Sequence, residues 1–242
     1  MIQKMCLQIF DRRYEIRYPH SPLMVKVIRD TLGGEYPFLP FLKEEQGTIL
    51  DVGANIGCAS LLFATLYPRT GIYAFEPARE SYDLLVANTQ VLPNIRPFNI
   101  GLLDRDGSAR LFRGSTISAT NSLGRCILNT EEYEEVALRR ISSFLRETSV
   151  EHITLLKLDT EGAEVPILRD LGAFLGHISA LHLEYHSEQD RCEIDQLLSG
   201  RFMLHAAQIH HVHRGVLTYV AKDVIQTRTD LDKWAITRPL VS

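Results

Sequence analysis

Apolar residues along the chain fall into short runs separated by amphipathic stretches, the pattern of strands alternating with helices in a parallel α/β sheet. Residues 48–57, TILDVGANIG, begin as an apolar strand, end it in an acid and turn through two glycines into the apolar run CASLLFATLY. That is a strand, a tight loop and a helix. A second strand follows at 71–76, then a helix at 79–90 and a third strand at 95–100. Residues 152–159, HITLLKLD, form an almost unbroken apolar strand, as expected of a central parallel strand covered on both faces. The helix after it tolerates Pro166 in its first turn. Strand 178–186, ISALHLEYH, alternates, with Leu181, Leu183 and Tyr185 on one face and His182, Glu184 and His186 on the other. A helix at 188–198 and closing strands at 202–207 and 216–221 complete the pattern.

The flanking segments are less regular. Residues 5–10 and 14–18 read as a hairpin turning at 11–13, and 21–32 as a helix with Ser21 as N-cap, Pro22 at its first position and Gly33-Gly34 at its end. The stretch GGEYPFLPFL packs Tyr36, Phe38 and Phe41 onto the core, with Glu35 and Tyr36 as candidate contacts at the site mouth. Residues 103–113 read as a strand pair turning at Gly107, and 131–135 as a solvated acidic surface. A strand at 135–140 leads into a helix at 142–147. Between them, 114–125 is rich in Ser, Thr, Gly and Asn and breaks all periodicity; Asn121 and Ser122 are its residues to test. His205, His210, His211 and His213 cluster at a hairpin tip without acidic or cysteine companions, so no metal is assigned to them. Trp234 docks the polar tail.

Composition narrows the class. With 242 residues, 45% hydrophobic, the chain suits one globular domain with a substantial core. A net charge of −4 supplies no basic field for a phosphate backbone, so nucleic acid is not an expected partner. The 4 cysteines form no C-x-x-C, which points to reduced thiols and a cytoplasmic setting. No apolar run reaches the roughly 18 residues of a membrane span.

Candidate chemistry begins at the glycine loop. Gly53 and Gly57 permit positive φ and close approach of a ligand, and Glu76, 25 positions beyond Asp51, stands where such folds hold a ribose. The dinucleotide fingerprint fails, because Asn55 and Cys58 replace two of its three glycines. S-adenosylmethionine carries no phosphate, and its amino acid end suits the acid, amides and carbonyls of Asp51, Gly53 and Asn55. Gly57 belongs to the same loop, and Asn99, at the end of the third strand, is a further cofactor contact.

At this point the chain resembles the FkbM-type methyltransferases. The matching stretches are GGEYPFLPFL (33–42), ILDVGANIG (49–57), FEP (75–77), NIGLLDRDG (99–107) and LLKLDTEGAEVPIL (155–168), in the family's order. The chain departs from the family at 141–144, where Ile-Ser-Ser-Phe replaces the common Leu-Asp-Asp-Leu. The resemblance implies a Rossmann-like class I methyltransferase fold. Its sheet would be mostly parallel and seven-stranded, with helices on both faces and a terminal antiparallel strand. Residues 1–46 would form an accessory cover, 47–223 the methyltransferase domain and 224–242 a tail. It implies O-methylation of a small-molecule or carbohydrate hydroxyl, on a sugar, glycolipid or secondary metabolite, with S-adenosylmethionine as donor. An NAD-type oxidoreductase and a non-catalytic nucleoside-binding module are the alternatives.

Asp159, Glu184 and His186 are the candidate catalytic residues. His186 serves as general base with Asp159 or Glu184 completing a relay, or the three bind a divalent metal, or they form a structural network. His182 is the deeper histidine and reads as core, while Glu161 and Glu164 favour the dipole of the following helix.

Overall fold

A computed structural model describes residues 1–43, 45–114 and 129–226. In chain order the elements are β1 (Ile2–Ile9), β2 (Arg12–Pro19), α1 (Pro22–Asp30), β3 (Thr48–Val52), α2 (Cys58–Leu66), β4 (Gly71–Phe75), α3 (Arg79–Thr89) and β5 (Ile95–Phe98). There follow β6 (Gly101–Leu103), β7 (Gly107–Gly114), β8 (Asn129–Arg140), α4 (Ile141–Thr148), β9 (Ile153–Leu158), α5 (Glu164–Leu171) and β10 (Ile178–Tyr185). The last are α6 (Glu188–Leu198), β11 (Phe202–His211), β12 (Arg214–Ala221) and α7 (Lys222–Gln226).

Seven strands form the main sheet in the order β11-β12-β10-β9-β3-β4-β5. The pairs from β10 through β9, β3 and β4 to β5 are parallel, and β12 runs antiparallel to both β10 and β11. This is the expected Rossmann-like class I methyltransferase architecture, with its reversed strand between β10 and β11. Every residue of β9 and β10 is buried, because alternate side chains feed opposite layers. Ile49, Leu155 and Ala180 join the core under α1, α2, α3 and the hairpin, whereas Leu50, Leu156 and Leu181 join the core under α4, α5 and α6. The loops after β3, β4, β9 and β10 therefore emerge at one edge, where open α/β sheets place their ligands.

Three local expectations change. The hairpin turns at Phe10 and Asp11, with Phe10 at φ 54, because β2 already begins at Arg12. Its side chains Ile9, Tyr14 and Ile16 enter the same buried cluster as α2, and the Tyr14 hydroxyl lies 2.9 Å from Thr65 Oγ1. Helix α1 stops at Asp30, and a wider turn over Thr31–Glu35 carries the chain to Gly34 at φ +108. Ser21 precedes α1 in extended conformation without a side-chain capping bond. Strands β6 and β7 do not pair with each other: β8 lies between them, parallel to β6 and antiparallel to β7, in a separate three-stranded sheet. The acidic run 131–135 thus belongs to a strand, with Glu132 and Glu135 exposed. Asn121, Ser122 and Trp234 lie outside the described residues. Among the described residues no helix is long and apolar enough to cross a membrane.

Candidate active site

A cavity of about 830 Å³ opens beyond the carboxyl ends of β3, β4, β9 and β10. At one end, the loop after β3 meets β4. The backbone N–H groups of Gly53 and Ala54 both donate to the Phe75 carbonyl, at 3.0 and 2.9 Å. The Asn55 N–H donates to Glu76 Oε2 at 2.9 Å and the Ala78 N–H to Glu76 Oε1 at 2.9 Å. Each carboxylate oxygen of Glu76, which lines the cavity, accepts one bond and has capacity for another. Burial pushes Glu76 up to about 7, against the two N–H bonds that favour its charged form. Asn55 stands at φ 49, and its Oδ1 is buried with no hydrogen-bond partner among the described residues. A bound donor would satisfy that acceptor.

Lys157 ties this corner to the next strand. Its side chain is 3% exposed, and its ammonium donates to the Gly53 carbonyl at 2.7 Å while lying 3.0 Å from Asp51 Oδ1 and 3.7 Å from Asp159 Oδ2. Burial acts to lower its pKa, but Asp51 and Asp159 outweigh it and hold the lysine charged, above its ordinary value. Asp51 is fully buried and also accepts from the Ser60 hydroxyl at 2.6 Å. A Cβ on Gly53, which has φ +81, would stand 1.8 Å from the Asp159 carbonyl oxygen. Gly53 is thus required by the meeting of two loops, as well as by its own turn.

The other end of the cavity is acidic. Burial, then the neighbouring charge of Glu184, pushes Asp159 up to about 6, and Asp159 Oδ2 accepts from the Tyr36 hydroxyl at 3.1 Å. Burial would raise Glu184 as well, but the neighbouring side chains of His186, Asp159 and Arg214 hold it at about 2. Arg214 grips Glu184 through two nitrogens, at 2.5 and 3.1 Å, and reaches Glu161 at 2.9 Å. His186 has Glu161 at 3.1 Å, Glu184 at 3.4 Å and Glu164 at 3.7 Å. Burial alone would lower His186, but these carboxylates raise it to about 12.

The expected residues divide between wall and support. Gly53, Asn55, Glu76, Asp159 and Glu184 line the cavity. Asp51 sits behind it as the partner of Lys157. Gly57, at φ +92, lets α2 approach α3, since a Cβ there would meet Leu85 at 2.9 Å. Asn99 spends its amide on the carbonyls of Glu76 and Pro77, at 3.0 and 2.9 Å. His186 is not part of the cavity lining but stands beside Glu161 and Glu184, whose carboxylates favour its charged form and so work against the free imidazole that a general base needs. The Glu164 carboxylate accepts from the backbone of Thr160 and Gly162, at 2.7 and 3.0 Å, and so fixes the entry to α5. His182 is fully buried between Tyr36 and Phe63, with Thr218 2.9 Å from its Nδ1, and burial keeps it neutral, at about 3. His210, placed at a hairpin tip by the sequence, reaches the cavity wall. Lys157 and Arg214 were not anticipated. The one signal for Lys157 is a charge inside an otherwise apolar strand, and Arg214 has none apart from its place beside the histidines.

Glu161, Glu184 and His186 bring ligand atoms within 4.8 Å of one another, a spacing suited to a cation. The Arg214 guanidinium and the His186 imidazolium already neutralise those carboxylates, so a divalent ion would have to displace both charges.

The chain resembles known proteins in sequence and in fold. The methyltransferase AglP of Haloferax volcanii, described as acting on hexuronic acid, is 28% identical over 176 residues, 71% of this chain and 70% of that protein. Methyltransferase sdnD of Sordaria araneosa is 33% identical over 157 residues, 50% of this chain and 59% of that protein. Methyltransferase 1 of Beauveria bassiana is 27% identical, with 62% of its length covered. The chain thus spans about three fifths of these last two relatives. Among solved structures, fibrillarin of Aeropyrum pernix with bound S-adenosyl-L-methionine matches at TM-score 0.50 and 16% identity, covering 90% of this chain and 82% of that one. The fibrillarin pre-rRNA processing protein of Methanococcus jannaschii matches at TM-score 0.52 and 13% identity, covering 91% and 83%. At such identities the structural likeness concerns the fold. The profile of the FkbM methyltransferase domain matches residues 51–212, from Asp51 in β3 to the tip between β11 and β12, and the chain belongs to that family.

Proposed function

We propose that the chain transfers a methyl group from S-adenosylmethionine to a hydroxyl of a sugar, glycolipid or secondary metabolite. The carrying observation is the corner formed by Gly53, Asn55 and Glu76, which offers an unpaired buried acceptor and a carboxylate side by side. Glu76 would accept from the ribose hydroxyls, while Asn55 Oδ1 would take a donor from the amino acid end. When bound, the cofactor supplies an electrophilic methyl group on a positively charged sulfur. The protein's own task is to align the acceptor oxygen, exclude water and receive a proton.

The cavity falls in the usual range for small-molecule sites, roughly 300–1,000 Å³, and its far end is rich in carboxylates suited to hydroxyl donors. A relative described as a hexuronic acid methyltransferase supports a carbohydrate acceptor, and one described as a 2-O-methyltransferase supports transfer to oxygen. Calorimetry with S-adenosylmethionine, S-adenosylhomocysteine and NAD tests the cofactor. Transfer of labelled methyl to a panel of glycosides, with and without chelator, tests the acceptor and any divalent cation. Binding of NAD alone would overturn the reading.

A further inference from the structure

The carboxyls on the cavity wall are nearly all engaged. Glu76 takes two backbone N–H groups. Asp159 takes Tyr36 and faces Lys157. Glu161 and Glu184 are held by Arg214 and His186, and Asp30 pairs with Lys26. Glu35 differs. Its contact is a single long bond, Thr31 Oγ1 to Oε2 at 3.3 Å, and its Oε1 accepts nothing from the described residues.

Its position is nonetheless fixed from both sides. The preceding Gly34 carbonyl accepts from Gln208 Nε2 at 2.6 Å, and the following Tyr36 hydroxyl donates to Asp159. The turn that carries Glu35 is therefore pinned to β11 on one side and to the end of β9 on the other. A carboxylate oxygen without partners, on a clamped backbone facing the cavity, is arranged to receive something from a ligand.

We propose that Glu35 is the general base that takes the proton of the acceptor hydroxyl. This rests on the reading of the chain as an O-methyltransferase. The step needs no further reactant. The acceptor O–H bond breaks and its proton passes to the Glu35 carboxylate as the oxygen forms its bond to the methyl carbon. The S–CH₃ bonding pair stays on sulfur, which departs as a neutral thioether. Burial, then the charges of Asp159 and Glu184, with Asp30 adding to them and Lys157 opposing, push Glu35 up to about 8. That value is close to the working pH, where a base is most effective, and the positive charge of a bound sulfonium would draw it lower.

The test compares wild type, Glu35→Gln and Glu35→Asp, each as the 242-residue chain. Binding of S-adenosylhomocysteine is measured by calorimetry and turnover on p-nitrophenyl glycosides across pH. Carboxyl titration is followed by carbon-13 NMR of glutamate-labelled protein. In wild type, one glutamate resonance titrates near pH 8 and disappears in Glu35→Gln. That variant binds S-adenosylhomocysteine within about threefold of wild type, yet loses on the order of 100-fold in kcat, together with the rising limb of the pH profile. Glu35→Asp recovers part of the rate. Wild-type kcat in Glu35→Gln overturns the base and leaves the methyltransferase reading standing. If no glycoside turns over, the titration decides: no glutamate above pH 6 that the variant removes overturns the proposal. A wild-type protein that does not bind S-adenosylhomocysteine sinks the proposed function itself.

Discussion

Lys157 is the residue whose loss should spread furthest. It balances fully buried Asp51 and holds the Gly53 carbonyl, so Lys157→Met would leave a carboxylate without its cation in a dry environment. Breaking a buried pair in this way costs roughly 3–5 kcal/mol. Urea denaturation should show a loss of that size, and a change under about 1 kcal/mol would contradict the role given to the lysine. The two histidines of the β10 segment make a complementary case. His182 is neutral and shares its buried polar contact with Thr218, so replacing both by apolar groups, His182→Leu with Thr218→Val, should alter stability by less than about 1.5 kcal/mol and leave cofactor affinity unchanged. The sequence distinguished these histidines by depth. It could not reveal the raised pKa of His186, because that depends on Glu161 and Glu164, which arrive from the loop after β9 and the start of α5.

At the scale of elements, the segment before β3 is built into the molecule. The hairpin β1–β2 shares a buried cluster with α2, and Arg17 and Asn88 exchange backbone and side-chain bonds at 2.7 and 3.0 Å. Deleting residues 1–20 should therefore yield aggregated protein, measurable by size-exclusion chromatography, whereas a merely draped cover would leave a soluble, cofactor-binding remainder. The Gln208 bond to the Gly34 carbonyl is the lighter fastening. Gln208→Ala should raise hydrogen exchange over residues 31–36 several-fold with little change in melting temperature. Strands β3, β4, β9 and β10 were legible because their apolar runs end in acids or turns. The pairing of β6 and β7 was not, since a short link looks the same whether its strands are adjacent or separated by a third. The reach of Arg214 from the β11–β12 turn into the cavity was hidden for the same reason: it is a property of strand order.

For the whole molecule, the raised carboxyls set the dependence on pH. Glu35 and Glu76, ordinarily 4.5, stand at about 8 and about 7, so the folded state binds more protons than the unfolded chain between these limits. Their contribution is fully present below about pH 4.5 and is lost as pH rises through 7 to 8. His186, at about 12, acts in the same direction above its unfolded value. Glu184 is lowered, and its contribution is lost only as pH falls toward 2. Melting temperature should then peak near pH 5 and decline toward pH 9, while a cationic ligand should bind more tightly over the same rise and release protons, as calorimetry in buffers of different ionisation enthalpy would record. The layout of this acidic site was half legible: Glu76, Asp159 and Glu184 lie at strand ends, but Glu35 sits on a turn whose approach to them depends on the closing of the whole sheet. The collision waiting at Gly53, where any added carbon would strike the Asp159 carbonyl, also bears on redesign. The two strand exits are mated parts, so transplanting the glycine loop from a relative without the matching TEG segment should give a chain that jams at the seam, and loop exchanges aimed at new acceptors should move the pair together.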